Sequence, residues 1–261
     1  RDKVKRLNYN IIITEELIMS NNIIPSNQNY DDINLINGIS CDLVIFPKLN
    51  YSQQYLYSQN ILKDEYTNRT IFSTLTIPGN ILSFNNIIEK TRYKIILLHE
   101  FTHILGFLYE SFQFFPGGLE STIRHQEDSR GINRTYIITP KVIELARKYY
   151  NCPNATGMEL ENQKSDEDYK SSHWEERILL GEYMNSVLYY PEIVISEFTL
   201  ALLEDSGWYE INKFTGGLMR FGKNKGCGFL NSDCCDKYGV TKFKNEFFDL
   251  EDNMKPSCSS G

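Results

Sequence analysis

The chain has 261 residues, 41% hydrophobic, 13% aromatic and 23% charged, a balance close to the globular average that excludes disorder over most of its length. Its formal net charge of −7 excludes a global basic field for nucleic acid or anionic lipid, and the basic residues Lys3, Arg6, Lys141, Arg147 and Lys148 read as solvated faces. No apolar run approaches the roughly 20 residues that a bilayer crossing needs, so no membrane span is expected.

Between Asn10 and Ile24 the Ile and Leu residues fall at mixed spacing around Glu15 and Glu16, so helix and strand compete, with helix preferred. Cys41–Pro47 is a short apolar run closed by proline and reads as a buried strand. Arg69–Ile77 alternates, with Ile71, Ser73 and Leu75 against Phe72, Thr74 and Thr76, and is expected to be an edge strand whose free side could take an extended substrate. From Asn86 to Gly106 the period changes. Ile88, Tyr93, Ile96, Leu97, Phe101, Ile104 and Leu105 recur at three- and four-residue steps, which predicts a core helix ended by Gly106.

Residues 112–118 form an aromatic loop, readable as a lid or as a core cover. A helix is expected over Ile137–Asn151, opened by Thr139 as cap and Pro140 in its first turn. Asn154–Ser172 is polar and acidic, hence a loop, and Ser196–Ser206 has a serine cap, an apolar helical face and Gly207 behind it. Beyond Lys213 the periodicity disappears.

Six cysteines, Cys41, Cys152, Cys227, Cys234, Cys235 and Cys258, include four in the last thirty-five residues. Four Asn-X-Ser/Thr sequons begin at Asn50, Asn68, Asn133 and Asn154. Together they favour a secreted or cell-surface glycoprotein with disulfides over a cytosolic protein with free thiols. The chain starts at Arg1 without an initiator methionine and is expected to be a mature form or a fragment.

The chemistry concentrates at His99-Glu100-Phe101-Thr102-His103. Residues four apart on a helix share a face, so two imidazoles can meet one zinc ion, and the carboxylate beside the first can reach the water of a catalytic site. Such spacing arises by chance in about one protein of this size in a hundred, and only some of those matches lie on a periodic helix. In the pattern His-Glu-X-X-His-X-X-Gly-X-X-His, Gly106 matches but the last position holds Tyr109. His125 and His173 remain as alternatives for the third ligand.

Residues 99–107 (His-Glu-Phe-Thr-His-Ile-Leu-Gly-Phe), 151–154 (Asn-Cys-Pro-Asn), 157–162 (Gly-Met-Glu-Leu-Glu-Asn), 172–177 (Ser-His-Trp-Glu-Glu-Arg), 181–184 (Gly-Glu-Tyr-Met) and 200–209 resemble, in this order, the leishmanolysin family of metzincins. The resemblance implies an α+β, metzincin-type zinc protease. Residues 1–106 would be an N-terminal lobe with a twisted mixed sheet and the zinc helix. Residues 107–212 would be a mostly irregular and helical lobe with an insertion, the third ligand and the Met-turn, and 213–261 the truncated beginning of a cysteine-rich region.

It further implies one catalytic zinc held by His99, His103 and His173, Glu100 as general base, Met184 as the structural methionine beneath the ion, and protein or peptide substrates. Tyr189 and Tyr190 follow that turn and read as packing residues. Relatives carry a silencing prosegment, and many are lipid-anchored; anchoring here would come from segments outside this chain. Cys41 sits in an apparent strand and reads as a disulfide partner or buried thiol, not as an inhibitor. A catalytically silent adhesion protein on the same scaffold is the rival reading, against which the intact Glu100 argues.

Overall fold

The computed structural model describes residues 9–11, 39–79, 86–127, 133–162, 170–188, 193–211 and 218–247. Its contacts divide the chain into two compact units, Arg1–Gly106 and Phe107–Gly261.

In the first unit, β1 (Tyr9–Ile11) pairs antiparallel with β2 (Ile39–Cys41). Of the helix expected between Asn10 and Ile24, only Asn10 and Ile11 are described, and they lie in strand β1; the rest falls outside the described residues. A second sheet holds β3 (Val44–Asn50), β4 (Tyr57–Lys63) and β5 (Thr70–Pro78) in the order β3-β5-β4, parallel on one side of β5 and antiparallel on the other. The expectation of an edge strand at 69–77 is therefore wrong: β5 is central, and β4 pairs among the described residues with β5 alone.

Both sides of β5 carry hydroxyls, Ser73 on one and Thr70, Thr74 and Thr76 on the other, and all four residues are buried. Ser73 shows how: its Oγ donates to the Gln59 carbonyl at 2.8 Å, so the neighbouring strand supplies the acceptor that water would otherwise provide. β3 runs past Pro47 to Asn50. Paired on one side only among the described residues, it can carry a residue that lacks an N–H.

Helix α1 (Ile87–Leu105) forms over the expected residues with both ends chemically marked, but its period does not mark a core face: of the seven apolar positions only Ile104 is buried, and Ile88 is 55% exposed. Asn86 Oδ1 accepts the Ile88 N–H at 2.9 Å, and Gly106, at φ 128°, bonds back to His103 and Thr102 in a conformation a side chain would oppose. Its buried residues, His99, Thr102, His103 and Ile104, all fall in the last two turns.

The second unit contains the short helices α2 (Tyr109–Phe112) and α3 (Leu119–Thr122), then an antiparallel sheet β6 (Ile123–Glu127), β7 (Asn133–Ile137) and β8 (Met158–Glu159) in that spatial order. Helix α4 (Pro140–Tyr150) lies between β7 and β8 in the chain. Helices α5 (Glu176–Leu179), α6 (Glu197–Asp205) and α7 (Cys227–Asn231) follow. β8 interrupts the loop expected over 154–172, of which residues 163–169 lie outside the described set.

Pro140 is the first helical residue of α4, but Thr139 makes no side-chain cap. Asp205 at the end of α6 does so instead, accepting the backbone N–H groups of Lys141 at 2.9 Å and Val142 at 3.3 Å. A carboxylate there meets the positive end of the helix dipole. The core is largely aromatic, with Tyr150, Trp174, Phe198 and Phe229 fully buried and Tyr150 stacked on Phe229 at 5.9 Å. Phe112 and Phe115 are buried too, so residues 112–118 cover the core. A disulfide joins Cys152 to Cys227, and the N–H groups of Asn224 and Gly226 bond the carbonyls of Tyr149 and Tyr150, tying the 218–247 segment onto α4.

Candidate metal centre

The last turns of α1 carry His99 and His103, both 8% exposed. Their Nε2 atoms stand 3.0 Å apart, with the rings edge to face at 86°. Two ligands at about 2.0–2.1 Å around a tetrahedral ion would be separated by about 3.3 Å. The helical spacing thus aims both nitrogens at one point, at a separation that a shared cation fits.

Glu100, one residue on, is held from the sheet. Its Oε2 accepts two hydrogen bonds from Ser58 on β4, from the backbone N–H and from Oγ, each at 2.8 Å. Ser58 lies forty-two positions earlier, and nothing in the sequence singled it out. Two donors on one oxygen fix the direction in which the carboxylate points.

In the second unit His173 is partly exposed, and its Nδ1 lies 3.2 Å from Glu161 Oε2. A carboxylate on one ring nitrogen selects the tautomer that leaves the other, Nε2, as a lone-pair donor, an arrangement common behind metal-binding histidines. Glu161 stands inside the 157–162 block that the sequence singled out, but its role as partner was not read there. Its own N–H donates to the His173 carbonyl at 3.0 Å, so backbone and side chain both join the two residues. The neighbouring Ser172 Oγ accepts the backbone N–H of Tyr109, the residue that stands where the unbroken pattern would place a histidine.

Met184 is fully buried, and its carbonyl accepts the Trp174 N–H at 3.0 Å. Beneath it lies Glu182, a buried carboxylate with four donors: the Met184 N–H, the Ser196 N–H, the Ser196 hydroxyl at 2.8 Å and the Thr199 hydroxyl at 2.7 Å. Thr199 Oγ1 in turn accepts from the Trp174 indole at 2.9 Å. Burial pushes the Glu182 pKa up to about 7, against the opposing pull of these hydrogen bonds. This network, which the sequence did not reveal, braces the Met184 turn against the residue that follows His173.

His125, the alternative third ligand, lies on β6, with Nδ1 3.0 Å from Thr135 Oγ1. The strand positions it through pairing that its charged neighbours do not disclose. Tyr189 and Tyr190 lie outside the described residues. Among the described residues, His99 and His103 in the first unit and His173 in the second each offer one imidazole nitrogen to a metal ion. Three neutral imidazoles are a donor set that suits zinc and other first-row cations.

Residues 3–261 match the family model described as leishmanolysin. A leishmanolysin-like peptidase of Drosophila melanogaster is 41% identical over 100 residues, which make up 38% of this chain and 14% of that protein. One of Caenorhabditis elegans is 40% identical over 123 residues, 47% of this chain and 17% of the relative. A leishmanolysin homolog of Crithidia fasciculata is 32% identical over 163 residues, 60% of this chain and 23% of its own length. The matched stretches thus span less than a quarter of each of these relatives.

Proposed function

The chain belongs to the leishmanolysin family of metallopeptidases, and from that premise we propose that it is a zinc-dependent endopeptidase acting on proteins or peptides. His99, His103 and His173 are the ligands in this reading, Glu100 the general base and Met184 the methionine of the Met-turn. The observation that carries it is the pair of buried imidazoles whose Nε2 atoms converge within 3.0 Å beside Glu100.

Bound there, zinc would polarise the scissile carbonyl and make a water acidic enough to be deprotonated near neutral pH. Glu100 takes that proton and passes it to the leaving amine, with Ser58 keeping its carboxylate in place. Glu161 keeps His173 in the ligating tautomer. Secretion or exposure at the cell surface is supported by the Cys152–Cys227 disulfide and by the exposed sequon residues Asn133 and Asn154.

The test is cleavage of a generic protein substrate, with and without chelator, by the wild type and by Glu100→Ala. Chelator and substitution should each abolish cleavage. Chelator-insensitive turnover, or full activity in Glu100→Ala, refutes the mechanism. Zinc content should fall in His173→Ala and stay at one ion in His125→Ala; the reverse pattern reassigns the third ligand.

A further inference from the structure

A cavity of about 590 Å³ opens in the second unit on one face of the β6-β7-β8 sheet. The pairing register explains its polar lining. Arg124 lies opposite Tyr136, Gln126 opposite Arg134, and Tyr136 opposite Glu159, so the two-residue period of the strands turns all five side chains to the same side. Residues 230–233 and Lys242 complete the wall.

Charge in this cavity is unevenly matched. Four cations, Arg124, Arg134, Arg177 and Lys242, line it with three carboxylates, Glu127, Glu159 and Asp233. Glu159 is fully engaged: Oε1 receives Arg134 and the Asn162 amide, and Oε2 receives Arg177 at 2.9 Å. Arg177 is further occupied by the carbonyls of Phe229 and Leu230 and serves as a strut.

Arg124 and Lys242, by contrast, pair with no carboxylate among the described residues. Arg124 is nonetheless held in place. Its guanidinium lies 5.4 Å from the centre of the Tyr136 ring, and Nη2 donates to Thr156 Oγ1 at 2.8 Å. Its Nε–H is buried without an acceptor. The Tyr136 phenol stays a donor over a widened pH range, because burial and then the Glu159 charge raise its pKa.

We infer that this cavity binds a peptide segment through a single carboxylate, received by Arg124 and Lys242. A planar guanidinium fixed by a ring and a hydroxyl matches the two oxygens of a carboxylate. One positive charge in excess suits a monoanion better than a phosphate dianion, and Glu127 and Asp233 would repel a second nearby acid. The volume exceeds that of one carboxylate, and the uncharged groups of Gln126, Asn231 and Ser232 offer partners to peptide amides. An acidic side chain and a free C-terminus present the same group. Binding of this kind requires no peptide-bond cleavage and is read without turnover.

Three five-residue peptides separate the sources: one with a central glutamate and both ends blocked, the same with glutamine, and the glutamine peptide with a free C-terminus. Each is titrated at low ionic strength into the full chain, followed by NMR of the arginine side chains. The glutamate peptide, the free C-terminus or both should bind at least about ten-fold tighter than the blocked glutamine peptide. Arg124→Gln and Lys242→Gln should each remove about that margin without changing Tm by more than a few degrees. If Arg124→Gln does not fold, Lys242→Gln carries the test alone. Equal binding of all three peptides overturns the inference. So does an unchanged margin in the folded variants, or inorganic phosphate binding tighter than either carboxylate.

Discussion

Replacing Glu182 by glutamine tests the network beneath the Met184 turn through its pH dependence. The carboxyl is buried, and its pKa is raised from 4.5 to about 7. A folded-state pKa above the unfolded one means that the native protein binds the proton more tightly. The group's contribution is then fully present below pH 4.5 and lost as the pH rises through 7. A displacement of that size corresponds to about 3 kcal/mol across the window.

Glutamine cannot ionise, so Glu182→Gln removes this term, although its amide meets the Met184 N–H less well than a carboxylate oxygen does. Urea unfolding of the metal-free protein, followed by the fluorescence of Trp174 and Trp208, would be measured for both proteins at several pH values from 4 to 8. Taking the difference between them cancels the other titrating groups. The variant should gain about 3 kcal/mol relative to the wild type between the acid and neutral ends. A difference that stays constant with pH would refute the claim that burial governs Glu182.

Ser58→Ala removes one of the two donors on Glu100 Oε2 and keeps the backbone one, so kcat on a peptide substrate should fall about ten-fold with KM little changed. An equal rise in KM would point to substrate binding instead. Glu161→Ala should lower zinc affinity about 10- to 100-fold in competition with a chromogenic chelator, while Glu161→Gln, which keeps an acceptor, should recover part of the loss. Unaltered affinity in Glu161→Ala would separate the carboxylate from any role behind His173.

What the chain order alone determined is whatever depends on near neighbours. The extent of helix α1 was readable because its three- and four-residue period and the Gly106 terminus each act within one turn, whereas which of its faces is buried was not. The same locality made the approach of His99 and His103 legible, since four residues on a helix return to the same face. Tertiary structure decided the rest. β5 became central because β3 and β4 flank it and β4 receives the Ser73 hydroxyl, an outcome its own alternation cannot encode. The cap of α4 came from Asp205, sixty-four positions from Lys141, and the anchor of Glu100 from Ser58, forty-two positions away. Glu161 and Glu182 are two of several acidic residues in the sequence, and only the packing that brings His173 to one and Ser196, Thr199 and Met184 to the other distinguishes them. Hydrogen bonds form between groups that folding brings within 3 Å, and separation along the chain carries almost no information about which groups those are.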